Sequence, residues 1–288
     1  MSADPIHYAT AAPAEGIVLV PLDEEPERAA AIPIAREVAR IRGGTLHLLL
    51  IAESESAART LLERTGLSAE DLHGAVLDHS SAHTAEGVLE VASQWPGTVI
   101  VIGMHAVGEE EVDTLGAVLR RLLRRSPGPV ILVPHHLHRT PWALRRILVP
   151  HDGTPTTSAA IVPAMELAEA AHAELIVLHV ARPGTLAPTE PGTFTAPRYI
   201  DQPQHEWPAW AHEFVERFCA RATALPGGIR LLLAAGEPGA EIVRYAESEK
   251  ADLLVLGWRG RLARARAETM KHVIRSAPCP VWVERVGG

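Results

Sequence analysis

The sequence predicts an α/β protein made of two doubly wound, five-stranded parallel-sheet domains in tandem. Three observations carry this. Short apolar runs alternate with segments of helical period, the second half repeats the first, and each half closes with the same succession of strand, glycine loop, helix and strand. Continuous apolar runs of strand length fit a sheet covered on both faces. Their alternation with helices makes that sheet parallel, with the helices as crossovers.

The closing module is plainest at 252–283. An apolar run at 253–256 stops at Gly257, a loop with Gly260 follows, a helix-like segment reaches Ser276, and a last run at 281–283 stands behind Pro278 and Pro280. Counting back from the prolines, the first half supplies a run at 99–102, Gly103 at its end, Gly116 opening a helix, then Pro127 and Pro129 before a run at 130–133. Upstream, Ile17-Val18-Leu19-Val20-Pro21-Leu22-Asp23 matches Ile147-Leu148-Val149-Pro150-His151-Asp152. The chain therefore reads as a duplication. Its expected domains are 16–140 and 141–288, with a disordered tail over 1–15 and a short joint at 140–144.

The first domain begins with the strand at 17–22. A helix is expected from Pro26 to Arg42, with Ala30, Ile34, Val38 and Ile41 at helical spacing and Gly43-Gly44 as its stop. A strand at 46–51, a short helix at 57–64, a turn at Gly66, a strand at 75–77 and a helix at 82–94 lead into the closing module. The second domain repeats the plan with a strand at 146–149, a helix at 155–171, a strand at 175–180, a helix at 210–224, a strand at 229–233 and a helix at 240–248. Residues 182–208 break the repeat. They are rich in Pro, Thr and Gly and form a longer loop than compact domains usually hold. The loop leaves a strand at the end where such sheets bind ligands, which suits a cover over a site, a partner surface or a tolerated insertion.

Composition narrows the function. The 288 residues suffice for two domains of ordinary size, and their 47% hydrophobic content is spread over runs too short for a membrane span. The first residues have neither a basic segment nor an apolar core, so a cytoplasmic location is expected. A formal net charge of −8 argues against a general nucleic-acid binder. The two cysteines, Cys219 and Cys279, have no zinc-like spacing and are read as reduced, buried thiols.

Both halves resemble the universal stress protein domain. Its pattern is a first strand ending in Asp, a strand leading into Gly-x-x-Gly, nine residues, Gly-Ser or Gly-Thr, and a closing strand after a proline pair. The resemblance runs from about Ile17 to Val286. It implies a tandem member with a Rossmann-like, adenine nucleotide alpha hydrolase-like fold, acting as a regulatory or stress-response module. It also implies ATP as the ligand, with Mg only alongside ATP, and pairing of domains through their last strands. Here the halves would pair through 130–133 and 281–283 as an internal pseudo-dimer; a further homodimer and an unknown protein partner are compatible with this.

The binding residues follow from the glycine loops, where backbone N–H groups meet phosphate. In the second half these are Gly257 and Gly260, with Arg259 and Arg261 as anion partners and Asp152, after the resemblance, at the base or ribose end. Ala267 and Glu268 stand where Gly-Ser is expected, and Arg264 and Arg266 fill the same loop. The arginines are read either as phosphate partners or as partners of carboxylates at 109–111 in the other half. Asp152 reads equally as a turn former, and His151 as a structural histidine.

In the first half the corresponding set is Asp23, Gly103 and Gly116, but Ala106 and Ala117 replace a glycine and a hydroxyl. Glu109, Glu110, Glu111 and Asp113 fill that loop. A carboxylate about 7 Å from a phosphate costs about 0.6 kcal/mol in water and about 2.4 at a dielectric of 20, so the second half is the better candidate. His135, His136 and His138 lack a second cluster and are not read as a metal site; Arg120, Arg121, Arg124 and Arg125 are read as a solvated helix face. No catalytic set emerges: the chain has no Gly-x-Ser-x-Gly, no Walker loop and no HExxH. The expected function is a binding module with degenerate nucleotide loops. A nucleotide-independent module for protein interaction or for binding another small ligand is the alternative, and a slow ATPase the weaker one.

Overall fold

Five parallel strands carry each of two compact units, Met1–Ala143 and Leu144–Gly288. The computed structural model describes residues 16–23, 29–82, 84–104, 116–137, 141–182, 190–194, 203–222, 227–259 and 264–286. The tail at 1–15 and the acidic loop at 109–113 lie outside them, as do His83, His138, Gly260 and Arg261.

The first unit runs β1 (Ile17–Leu22), α1 (Ala31–Arg42), β2 (Thr45–Ile51), α2 (Glu55–Arg64), α3 (Ala69–Leu72), β3 (Val76–Ser80), α4 (Thr84–Gln94), β4 (Val99–Gly103), α5 (Ala117–Arg125) and β5 (Val130–Val133). Its strands lie in the order β3-β2-β1-β4-β5. The second runs β6 (Arg146–Pro150), α6 (Pro155–Ser158), α7 (Ile161–Ala171), β7 (Glu174–Ala181), α8 (Pro203–Ala222), β8 (Ile229–Ala235), α9 (Pro238–Ser248), β9 (Leu253–Trp258), α10 (Arg264–Ser276) and β10 (Val281–Arg285). Its order, β8-β7-β6-β9-β10, is the same topology. Strands β1, β4 and β5 are buried at every position, as two-sided coverage requires.

The internal repeat holds register for register. Val18 pairs with Val99 and Leu19 with Ile100; the matching residues Ile147 and Leu148 pair with Leu253 and Leu254. In both units the first strand and its fourth-strand neighbour pair over these two positions alone. Chain order reverses across that seam, and in such sheets the crevice outside the carboxyl ends there receives ligands.

Several boundaries differ from expectation, each for a local reason. The helix expected over 155–171 is two helices, because Pro163 lacks an N–H and its ring collides with the carbonyl four residues back, at Ala159. Pro33 acts likewise in the first unit, where α1 begins at Ala31 after a short 3₁₀ turn at Ala29 and Ala30 rather than near Pro26. The long loop is shorter than 182–208, since α8 begins at Pro203 and carries Pro208 inside it, with Trp207 stacked on Trp210 across one turn. Strand β3 reaches Ser80 through polar residues that a half-exposed edge tolerates. There His47 Nδ1 lies 2.5 Å from Asp78 Oδ2, and His79 donates from Nε2 to the Ala52 carbonyl at 2.6 Å. The turn at α3 was not anticipated, although Ser68 and Asp71 form a capping box there.

Candidate functional site

The seam between β6 and β9 assembles the site of the second unit from three places in the chain. Strand β6 ends at Pro150 and passes through His151 and Asp152 into a turn at Gly153, whose φ of 84° favours glycine. The Asp152 carboxylate folds back into this turn: Oδ1 accepts from the Thr154 N–H at 3.0 Å, the Thr154 hydroxyl at 2.6 Å and the Thr157 hydroxyl at 2.8 Å. These bonds shape the turn, and Thr154 then caps α6.

Gly257 lies inside β9 rather than beyond its end, for the ladder to β10 continues through Glu284 opposite Gly257 and Arg285 opposite Trp258. A Cβ on Gly257 would stand 2.0 Å from the Thr156 carbonyl oxygen. Glycine is therefore required for α6 to lie against β9, which brings Thr156 beside Arg259.

Between Thr156 and Arg259 sits a carboxylate that the sequence reading did not find. Glu190, from the segment after β7, accepts from the Thr156 N–H at 3.1 Å and from the Thr156 hydroxyl at 2.9 and 3.1 Å. Arg259 Nη2 approaches the same oxygen to 2.8 Å. Glu190 is only 10% exposed and Arg259 44%. A backbone N–H, a hydroxyl and a guanidinium converging on one anion are charge-assisted donors. Arg259 thus partners a carboxylate of its own unit; residues 109–111, the other candidates, are outside the described residues.

Residues 190–194 form a strap over this end of the sheet. Thr193 bonds the Glu190 carbonyl through its N–H at 3.1 Å and its hydroxyl at 2.6 Å, the Phe194 N–H reaches the Gly153 carbonyl at 2.8 Å, and Arg217 of α8 reaches the Gly192 carbonyl at 3.1 Å. Phe194 packs over Gly153, where an added Cβ would meet its own Cβ at 3.2 Å. Its ring lies 4.9 Å from the His151 ring, with the Arg217 guanidinium 4.5 Å from its centroid.

Beneath the strap is a buried layer of rings. His179 stacks on Trp210 at 4.9 Å, and Trp210 on Phe214 at 5.3 Å; Phe218 lies 5.0 Å from Phe214. His151 stands among them, accepting from the Gly153 N–H at Nδ1 and lying 3.0 Å from the Ser158 hydroxyl through Nε2, which places its proton on Nε2. His179 Nδ1 lies 3.0 Å from the His151 carbonyl and donates to it. These bonds make His151 a structural residue. The Trp210 indole N–H has no partner among the described residues.

The remaining expected residues are dispersed. Glu268 is exposed and pairs with Lys271 at 3.0 Å, one turn along α10. In the first unit Asp23 follows β1, Gly103 closes β4 opposite Val133, and Gly116 stands at the N-cap of α5. The loop joining these two glycines lies outside the described residues. His135 and His136 lie edge to face, and no metal-ligand cluster occurs among the described residues. Arg121 pairs with Glu86. No described helix is long and apolar enough to cross a membrane.

This architecture agrees with what the chain is similar to. The universal stress protein family model matches residues 143–285. A universal stress protein of Thermus aquaticus, from the QAH/OAS sulfhydrylase 3′ region, is 33% identical over 147 residues, covering 49% of this chain and 98% of the relative. The chain belongs to the universal stress protein family. The crystal structure of a universal stress protein from Archaeoglobus fulgidus covers 95% of this chain and 97% of its own at 17% identity and a TM-score of 0.66, which shows a common fold across both units. A universal stress protein solved in complex with cAMP covers 50% of this chain at 23% identity, with a TM-score of 0.37.

Proposed function

We propose that the protein is a tandem universal stress module that binds an anionic ligand, ATP or another nucleotide, in its second unit. The observation that carries this reading is the convergence of the Thr156 N–H, the Thr156 hydroxyl and Arg259 on one largely covered carboxylate at the seam between β6 and β9. Donors that hold a carboxylate there suit a phosphate oxygen equally. Asp152, Gly257 and Arg259 are the residues assigned to the site among those described, and Gly260 and Arg261, which lie outside them, are assigned with them from the sequence. Mg enters only with a triphosphate. Asp23, Gly103 and Gly116 are assigned the lesser site of the first unit.

A second reading is favoured by the same carboxylate. Glu190 fills the anion position and Glu268 stands where the family pattern has Gly-Ser, so the crevice would be closed to nucleotides and the module would act through protein contacts. Thermal denaturation with and without Mg-ATP separates the two. A rise in midpoint that disappears in Arg259→Glu supports the first reading; no rise at millimolar ATP leaves the second. Turnover of ATP in the same samples would raise the slow ATPase above both.

We also infer that the two domains pair through their last strands. Each of these strands is the outermost of its own unit's order, and an apolar edge invites another strand. A chain cut within 140–144 should keep its halves together on gel filtration; separation would count against the pairing.

A further inference from the structure

We propose that the strap at 190–194 is an internal ligand: Glu190 and Phe194 occupy the anion position and the ring position that a compound carrying an acidic group and a planar aromatic ring would take, and such a compound binds by displacing them. This rests on the reading of the second unit as an anion site.

The two side chains come from one short segment and fill two adjoining places of different chemistry. Glu190 takes the donors of Thr156 and Arg259. Phe194 lies on the turn at Gly153, against His151 and beneath the Arg217 guanidinium. His151, in the turn after β6, and Trp210 and Phe218 of α8 lie against that ring, with Phe214 packed behind them, and none of these belongs to the strap. They would stay in place if Phe194 left, presenting ring faces and edges to a planar group. Both positions sit at the carboxyl end of the seam, where parallel sheets of this kind take ligands.

The attachment of the strap is suited to release. The Phe194 N–H donates to the Gly153 carbonyl, the Gly192 carbonyl accepts from the Arg217 side chain, and among the described residues the strap joins no strand ladder. Local openings of such segments cost less than unfolding. An occupant tethered in the same chain competes at an effective concentration that a free ligand must overcome, so apparent affinity falls by the fraction of molecules whose strap is displaced. The strap then sets a threshold: the site answers to high ligand concentration or to any event that lifts residues 190–194.

The test compares the full chain with Glu190→Gln, which keeps shape and removes charge, and with Phe194→Leu. Binding of AMP and of inorganic pyrophosphate is measured by calorimetry, with circular dichroism to check folding. Glu190→Gln should bind both probes on the order of tenfold more tightly than the parent. Phe194→Leu should improve AMP more than pyrophosphate, which has no ring. Equal affinities in parent and variants overturn the strap while leaving the anion site standing. Absence of binding in the parent and in a folded Glu190→Gln overturns both.

Discussion

Arg259 at the end of β9 and Glu190 in the strap after β7 form an ion pair, Nη2 to Oε1, at 2.8 Å, and Thr156 completes the cradle from the first turn of α6. Three segments distant in sequence thus meet on one carboxylate. The pair is a local lock rather than a source of global stability, since half-exposed Arg259 is well screened.

The coupling of Thr156 to Glu190 is measurable by a double-mutant cycle. Thr156→Val removes the hydroxyl donor from Glu190 and should cost about 0.5–1.5 kcal/mol in urea denaturation. Once Glu190 is Ala, the same substitution should cost markedly less. Additive costs would mean that the bond contributes nothing.

Reversing the charge at Arg259 places two carboxylates where one was held. Arg259→Glu should abolish any anion-dependent thermal shift and make the strap easier to cut. Limited proteolysis should show cleavage near 190–194 in the variant before the parent; identical digestion patterns would contradict this.

Gly257→Ala sets a Cβ 2.0 Å from the Thr156 carbonyl oxygen, a backbone atom that cannot swing aside. A loss of about 1–3 kcal/mol is expected from the displaced turn, together with weaker anion binding. An unchanged urea midpoint would show that α6 does not depend on this approach.

His172 ends α7 in the left-handed region at φ 54°, whereas Gly43 fills the same role after α1 at φ 65°. His172→Gly should stabilise the second unit by about 0.5 kcal/mol, relief of the strained backbone being partly offset by the freer unfolded chain. A lower midpoint would mean that the imidazole makes a compensating contact.

Burial is the largest cause, and Asp252 a further one, pushing the Cys279 thiol from 9.0 up to about 12. The unfolded chain then loses this proton first. The thiol's contribution to stability is full below pH 9 and is lost as pH rises toward 12. In a Cys219→Ser background, labelling of Cys279 at pH 8 should follow unfolding rather than precede it; rapid labelling of the native protein would refute the burial.

How much of this was legible can be followed at particular residues. The pairing of Val18 with Val99 and of Ile147 with Leu253 follows the internal repeat, so comparison of the two halves anticipated that they share one plan, while the strand order and register come from the structure. Helix starts were misjudged where Pro33 and Pro163 act, because the apolar spacing continues through positions that the ring breaks, and at α8 because the Pro-rich stretch reads as loop although the helix runs through Pro208. In the site, Arg259 was expected to face phosphates or carboxylates at 109–111, and its partner in the structure is Glu190 of its own unit. Its partner was missed because Glu190 lies in a Pro-rich stretch without periodicity, and the only hints were an acidic and an aromatic residue four positions apart in an overlong loop.

Repetition, apolar period and glycine placement were sufficient for the sequence alone to determine two parallel α/β units, since those features act through local backbone preference and strand burial. Only the tertiary structure decided what fills the carboxyl end of the seam in the second unit. Glu190, Thr156 and Arg259 come together through close passage of α6 over Gly257 and the fold-back of the strap onto Gly153. Both are contacts between distant segments that no local pattern encodes.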